Sequence, residues 1–249
     1  MITFIVIYVT YALLLSFLLA KNGHNSLVTL PGTTSDKVAK HLLIIGASGG
    51  TGIELVKQAL EQGFIVTALV RKPEKLNIQH PQLKILKGDV LDYASVGTAV
   101  KGQDAVISAL GHKRFFYPTH ILSKGTANIL RAMEMQGVKR FVCETALGIG
   151  NSAWRMGLYY TFFTIPVILP FYFWDKTRQE KLIAASELEW IIVRPAVLTN
   201  RKERGIWRQG QVIGSLFWTV NIARADVADF MLQQVNDNNN LHAAVGLSW

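Results

Sequence analysis

Between His41 and Val70 the chain reads as a strand, a glycine-rich turn, a helix and a second strand. Leu42-Leu43-Ile44-Ile45 is an apolar run without alternation, the pattern of a strand buried on both faces of a parallel sheet. It leads directly into Gly46-Ala47-Ser48-Gly49-Gly50-Thr51-Gly52. Ile53 to Gln62 then sets Ile53, Val56, Ala59 and Leu60 on one helical face, Gly63 ends the helix, and Phe64 to Val70 is strand again. A glycine turn alone says little, but inside such a βαβ unit it is a dinucleotide fingerprint. Gly46 would permit the tight turn, Gly49 would let backbone approach a pyrophosphate, and Gly52 would let the helix pack on the strand. With Ser48, Gly50 and Thr51 they form the expected phosphate-binding set, whose amides open a helix N-terminus.

The end of the second strand selects the cofactor. An acid there would bind a ribose 2′-hydroxyl and favour NAD. This chain has Val70-Arg71-Lys72 instead, two cations suited to a 2′-phosphate, so NADPH is the expected cofactor. The alternative is a pair of solvated loop residues.

The alternation continues. Leu83 to Leu86 reads as a third strand, and Asp92 as the cap of a helix from Tyr93 to Val100. Asp104 to Gly111 reads as a fourth strand, Thr119 to Gln136 as a helix stopped by Gly137, and Val138 to Cys143 as a fifth strand. Ligands of such sheets sit beyond the strand C-termini, which puts Gly46, Arg71, Asp89, Gly111 and Thr145 along one edge. The fold expected is α/β, a Rossmann-type doubly wound, mainly parallel sheet over 41–249, with a small substrate-side region near its C-terminus. At 249 residues the chain has room for one large domain of this kind.

Charge and cysteine usage narrow the classes further. The net charge is +9, but the cations are dispersed and no nucleic-acid motif is present, so no nucleic-acid role is expected. The densest basic stretch, Arg201-Lys202-Glu203-Arg204 with Arg208, reads either as a solvated loop or as a rim attracting an anionic ligand. Cys143, the single cysteine, excludes an internal disulfide and reads as a buried thiol. No metal site is expected.

Residues 1–20 carry no Lys, Arg, Asp or Glu. Three readings stand: a membrane anchor, a cleaved signal, or a misassigned start. Residues 21–40 read as a linker. With Lys21, His24, Lys37 and Lys40 following the apolar segment, an anchored domain would face the cytoplasm. Membrane contact through 1–20 is thus the one partner expected besides a small-molecule substrate.

Six motifs carry a family resemblance: G-A-S-G-G-T-G at 46–52, A-L-V-R at 68–71, K-G-D-V-L-D at 87–92, G-Q-D-A-V-I-S-A-L-G at 102–111, D-K-T-R-Q-E at 175–180 and S-E-L-E-W-I-I-V-R-P-A at 186–196. Together they resemble the NmrA-like, NAD(P)H-binding atypical short-chain reductases, near the biliverdin-IXβ/flavin reductase branch. The resemblance implies that Asp89 and Val90 contact adenine and that Ala109, Leu110 and Gly111 line the adenosine and ribose side. It also implies that Thr145 stands near the nicotinamide and that Pro195 approaches its carboxamide. Where that branch has a histidine after the proline, this chain has Ala196, which argues against flavin and biliverdin as substrates.

Short-chain reductases commonly use a Tyr-x-x-x-Lys pair, which Tyr172 and Lys176 match in spacing. Tyr172 is a candidate proton donor or a pocket-wall aromatic, Lys176 an active-site cation or a surface lysine, and Thr145 a substrate contact or a strand-end hydroxyl. Met156 to Trp174 is uncharged and aromatic but broken by Pro166 and Pro170. It reads as the wall of a pocket for an apolar, flat substrate, with membrane-surface contact and core packing as alternatives. Arg224 to Leu232 reads as a structural helix, with Asp226 complementing its dipole, and Ala243 to Leu247 as a last edge strand. Two functions are in view: an NADPH-dependent reductase, and a non-catalytic NAD(P)H-binding sensor or assembly protein.

Overall fold

The computed structural model describes residues 2–21 and 38–249. Residues 22–37 of the expected linker lie outside the described residues.

Eight strands form one sheet. Seven are parallel, the first six in the order β3-β2-β1-β4-β5-β6: β1 is His41–Ile45, β2 Ile65–Val70, β3 Leu83–Lys87, β4 Ala105–Ser108, β5 Arg140–Glu144 and β6 Glu189–Pro195. The order reverses between β1 and β4, which is the switch point where doubly wound sheets open a crevice. Val197–Thr199 (β7) and Asn221–Ala223 (β9) form a separate two-stranded ribbon. Ala243–Ser248 (β10) runs parallel to β6, and the short antiparallel β8 (Arg208–Gly210) covers its far side. The strand expected at the edge is therefore interior, because three residues of a distant loop supply the edge in its place.

Side-chain alternation builds two cores. Leu42 and Ile44 point to one face, where Gly50–Glu61 (α2) and Arg224–Gln233 (α6) pack with Leu55, Val56, Val227 and Met231. Leu43 and Ile45 point to the other, against Tyr93–Val100 (α3), Ile121–Gln136 (α4) and Pro170–Ala184 (α5), with Val96, Ile129 and Ile183. Both faces of β1 are covered, which explains its unbroken apolar run. Asp92 caps α3 as expected, accepting from the amides of Ala94 and Ser95. Gly137 ends α4 with φ 69°. Asp226 lies in the first turn of α6, as expected of a dipole complement, and has a second part besides. It is buried and accepts from the amides of Arg204 and Gly205 and from Trp249 Nε1 at 2.7 Å, tying a loop and the chain end to α6.

Ile2–Lys21 is helical (α1). It lies against the segments at 150–152 and 160–168 and against α5. The Tyr8 hydroxyl donates to the Phe162 carbonyl, and that of Tyr11 to the Pro166 carbonyl. Among the described residues no helix is long and apolar enough to cross a membrane. The expectation of a spanning anchor is not supported; the helix is bonded along the flank of the domain.

The turn between β1 and α2 depends on two missing Cβ atoms. Gly46 has φ +83°, and a Cβ there would lie 2.5 Å from the Ala109 carbonyl oxygen. A Cβ on Gly52 would lie 2.1 Å from the Gly46 carbonyl oxygen, backbone against backbone. Gly52→Ala should therefore destabilise the fold by roughly 3 kcal/mol, the upper end of overpacking costs. Gly97→Ala, in α3 with nothing within 4 Å of the added methyl, should stabilise by about 0.5 kcal/mol. Urea titration of the two variants checks the contrast; equal effects would remove the steric account.

Candidate cofactor and substrate site

The carboxyl ends of the parallel strands open into a cavity of about 570 Å³. Its lining joins elements far apart in sequence. At one end are Gly46, Gly49, Gly50 and Thr51 of the turn, Arg71 after β2, Asp89 and Val90 after β3, and Ala109, Leu110 and Gly111 after β4. At the other are Thr145 and Ala146 after β5, Met156, Tyr160, Leu169, Tyr172 and Phe173 before and within α5, and Pro195 and Ala196 at the end of β6. Most expected site residues are thus brought together. Lys72, Ser48 and Gly52 are not among the lining residues. Lys72 is an exposed residue opening the short helix Pro73–Lys75, one step past the strand end where Arg71 still reaches the cavity. None of Arg201, Lys202, Arg204 and Arg208 lines the cavity, so the basic stretch is no rim; Arg204 instead stacks on Trp249 at 3.9 Å.

The phosphate end has the features an anion needs. Gly49 caps α2 without a side-chain hydrogen bond to its first amides, so no side chain competes for them. The Arg224 side chain lies over the turn, its Nε 2.5 Å from where a Cβ of Gly50 would stand, and its Nη1 donates to Asn200 Oδ1 at 2.6 Å. Sequence reading took the stretch opening at Arg224 as structural. Nothing local marks it, because its proximity to Gly50 arises only from packing α6 beside α2. Asp89 is held in place by the Leu91 amide at 2.9 Å, and Gly125 makes room for Val90, whose Cγ1 stands 2.8 Å from an added Cβ. A cleft with free helix-start amides, two arginines and an unbranched turn fits a dinucleotide diphosphate.

The catalytic candidates have particular settings. Tyr172 lies in the cavity wall with its hydroxyl beside Gly111, and its ring meets His112 edge-on at 5.0 Å. Burial pushes its phenol above 10, and the nearby Lys176 charge only partly opposes this. Lys176 is buried, and its Nζ donates to the carbonyls of Glu144 at 2.8 Å and Leu110 at 3.2 Å. It stands 5.8 Å from the centre of the Tyr172 ring. The pair shares one helix face, as the spacing requires, yet the lysine ties the ends of β4 and β5 together beneath the cavity. The Thr145 hydroxyl donates to Glu180 Oε1 at 2.6 Å, so its one proton points away from the cavity. Glu180 is in turn gripped by Arg194 at 2.7 and 2.9 Å, a buried two-point ion pair.

Besides Arg224, His112 and Glu144 line the cavity and escaped the sequence reading. His112 takes the Arg114 amide on Nδ1 at 3.1 Å, which leaves Nε2–H to donate to Thr119 Oγ1 at 3.0 Å. Burial pulls its imidazole below 6.5, so the neutral ring packs on Tyr172. Glu144, the last residue of β5, is a buried carboxyl on the cavity floor whose Oε1 accepts from Thr51 at 3.0 Å. Burial raises its pKa above 4.5, against the lowering effects of Lys176, Thr51 and Arg224. A strand-end acid was visible in Glu144-Thr145-Ala146, but only packing discloses that it faces the cavity. Cys143 is the buried thiol expected, pushed up to about 12 chiefly by burial.

Glu144 gives a pH test. Between pH 4.5 and its raised folded value the native state keeps a proton that the unfolded chain has lost, so stability falls as pH rises through that window. Glu144→Gln keeps an acceptor for Thr51 and abolishes this fall. Thermal unfolding should show the variant gaining on the parent between pH 5 and pH 8; a gap constant across that range would mean that Glu144 titrates as in water.

Comparison with known proteins agrees with the geometry. An uncharacterized chloroplastic protein of Arabidopsis thaliana is 32% identical over 67% of this chain and 62% of its own length. The chain thus spans less than two thirds of that relative. A putative epimerase from Bacteroides thetaiotaomicron is 26% identical with a TM-score of 0.69, over 85% of this chain and 98% of that one. A short-chain dehydrogenase/reductase of Veillonella parvula, solved in complex with NADP, shares the fold at a TM-score of 0.69 and 17% identity, over 85% of this chain and 95% of that one. The family model described as NAD(P)H-binding matches residues 46–238. With its glycine turn, switch-point cleft and paired arginines in place, the chain belongs to the NAD(P)H-binding family.

Proposed function

We propose that this protein is an NADPH-dependent reductase of a small, apolar or aromatic acceptor. The observation that carries the reading is one cavity with two unlike ends. The turn, Arg71 and Arg224 make one end suited to phosphates; Met156, Tyr160, Leu169 and Phe173 make the other apolar and aromatic. The bound nicotinamide would supply a hydride. The chain's own part is to fix the dinucleotide by helix-start amides, to hold its 2′-phosphate with Arg71, and to exclude water with aromatic walls. A protonated Tyr172 hydroxyl in that wall is the group proposed to deliver the proton to the acceptor. Its raised pKa keeps it protonated and neutral at neutral pH; the Lys176 charge opposes this only in part, its ammonium being bonded to the carbonyls of Glu144 and Leu110.

Two experiments test the proposal. Calorimetry should find NADPH bound more tightly than NADH, and Arg71→Glu should weaken NADPH by roughly tenfold or more while sparing NADH. Equal binding of both cofactors by the parent protein would refute the NADPH assignment. With a panel of quinones, flavins and carbonyl compounds the protein should oxidise NADPH, and Tyr172→Phe should lower kcat about 100-fold at unchanged NADPH affinity. Tight binding with no turnover on any acceptor would make the protein a non-catalytic NAD(P)H-binding sensor or assembly factor instead.

A further inference from the structure

Three adjoining elements make a surface unlike the rest of the molecule. α1 carries no charge from Ile2 to Ala20. Tyr8 and Tyr11 bond it along the π-helical segment Tyr160–Ile168. Trp154 packs edge-on against Phe162 of that segment, at 5.8 Å. The loop 213–219 joins at the segment's start. Met156 bridges Ser215, the Gly157 amide donates to the Ser215 carbonyl at 2.8 Å, and a Cβ on Gly157 would sit 2.7 Å from the Thr219 nitrogen. All three elements leave large apolar side chains in the open: Phe4 and Phe17 on α1, Tyr159 and Phe163 on the middle segment, Phe217 and Trp218 on the loop. Phe4 and Trp218 are each 78% exposed. So much apolar surface on contiguous elements marks an interaction site.

We infer that this face docks on an anionic lipid bilayer, lying in its surface without crossing it. Two observations favour lipid as the occupant. The hydroxyls of Tyr8, Thr10 and Tyr11 all donate to carbonyls within the protein, so they make no demand on water. The charge is also of one sign. Residues 2–20, 145–174 and 205–223 contain no Asp or Glu; their only cations are Arg155 and Arg208, and Lys21 ends α1. Aromatic side chains with flanking cations are the equipment of a helix and loop held at the headgroup level of an anionic leaflet. Tyr160 and Leu169, at the two ends of the segment α1 lies along, line the cavity. Docking therefore sets the apolar end of the cavity beside the bilayer.

The test is co-sedimentation of the full chain with phosphatidylcholine vesicles, with and without phosphatidylglycerol. The chain should bind the anionic vesicles at least roughly tenfold more tightly, and added salt should erase the difference. Phe217→Ser with Trp218→Ser, on an exposed loop, should weaken binding by tenfold or more at an unchanged unfolding midpoint. Phe4→Ser with Phe17→Ser should do the same from α1, and Arg155→Gln with Arg208→Gln should remove the anionic preference. Failure to bind either vesicle, or binding that ignores all three pairs of changes, overturns the inference. A dimer in light scattering that Phe217→Ser with Trp218→Ser dissolves, without vesicle binding, would give the face to a second copy of the chain instead.

Discussion

The backbone contact between Gly46 and Gly52 is the constraint on which the site rests. The first turn of α2 passes so close to the end of β1 that a single methyl on Gly52 would meet the Gly46 carbonyl at 2.1 Å. Gly46 itself closes on the Ala109 carbonyl at the end of β4. The two contacts fix where α2 begins relative to both central strands, hence where its free amides point. Arg224 reaches Gly50 only because α6 packs beside α2 on the same face of the sheet. The phosphate end of the cavity is therefore a consequence of close packing before it is a matter of charge.

The other end is organised by α5, whose polar residues are buried to a degree unusual for charged side chains. Each one binds a different neighbour. Asp175 accepts from the Leu122 and Ser123 amides at the start of α4. Lys176 joins the carbonyl ends of β4 and β5. Gln179 donates to Thr126, and Glu180 holds Thr145 and Arg194. Removing one member of such a set leaves a buried charge uncompensated and costs about 3–5 kcal/mol. The stretch Asp175 to Glu180 thus acts as a stitch across four elements, and it sets the wall position of Tyr172 one turn earlier.

The fold was largely legible in the sequence because its determinants are local. An unbroken apolar strand, a glycine turn and a helix stripe each announce themselves within a few residues, and Asp92 and Gly137 marked their helix ends. The adenosine side was legible for the same reason, since strand ends in a parallel sheet share an edge whatever lies between them. What sequence could not disclose came from long-range packing. Arg224, His112 and Glu144 acquire their places from partners distant in the chain. Lys176 shows the converse. Its spacing from Tyr172 was read correctly, but spacing fixes only the shared helix face, and the carbonyls that claim its ammonium belong to two strands.

The segment from Met156 to Trp174 joins these strands of argument. A helical segment packed on one side only would carry an apolar stripe there and polar residues on its other face. Here the inner side chains of Tyr160, Leu169 and Phe173 wall the cavity while α1 lies along the outside. Both faces must be apolar, and the sequence accordingly carries no helical periodicity. Pro166 sits within the π-helical stretch, where the carbonyls of Phe162 and Pro166 take the hydroxyls of α1. The stretch expected to wall a pocket is thus a wall with two apolar sides, one turned to the cavity and the other to the helix that lies along it.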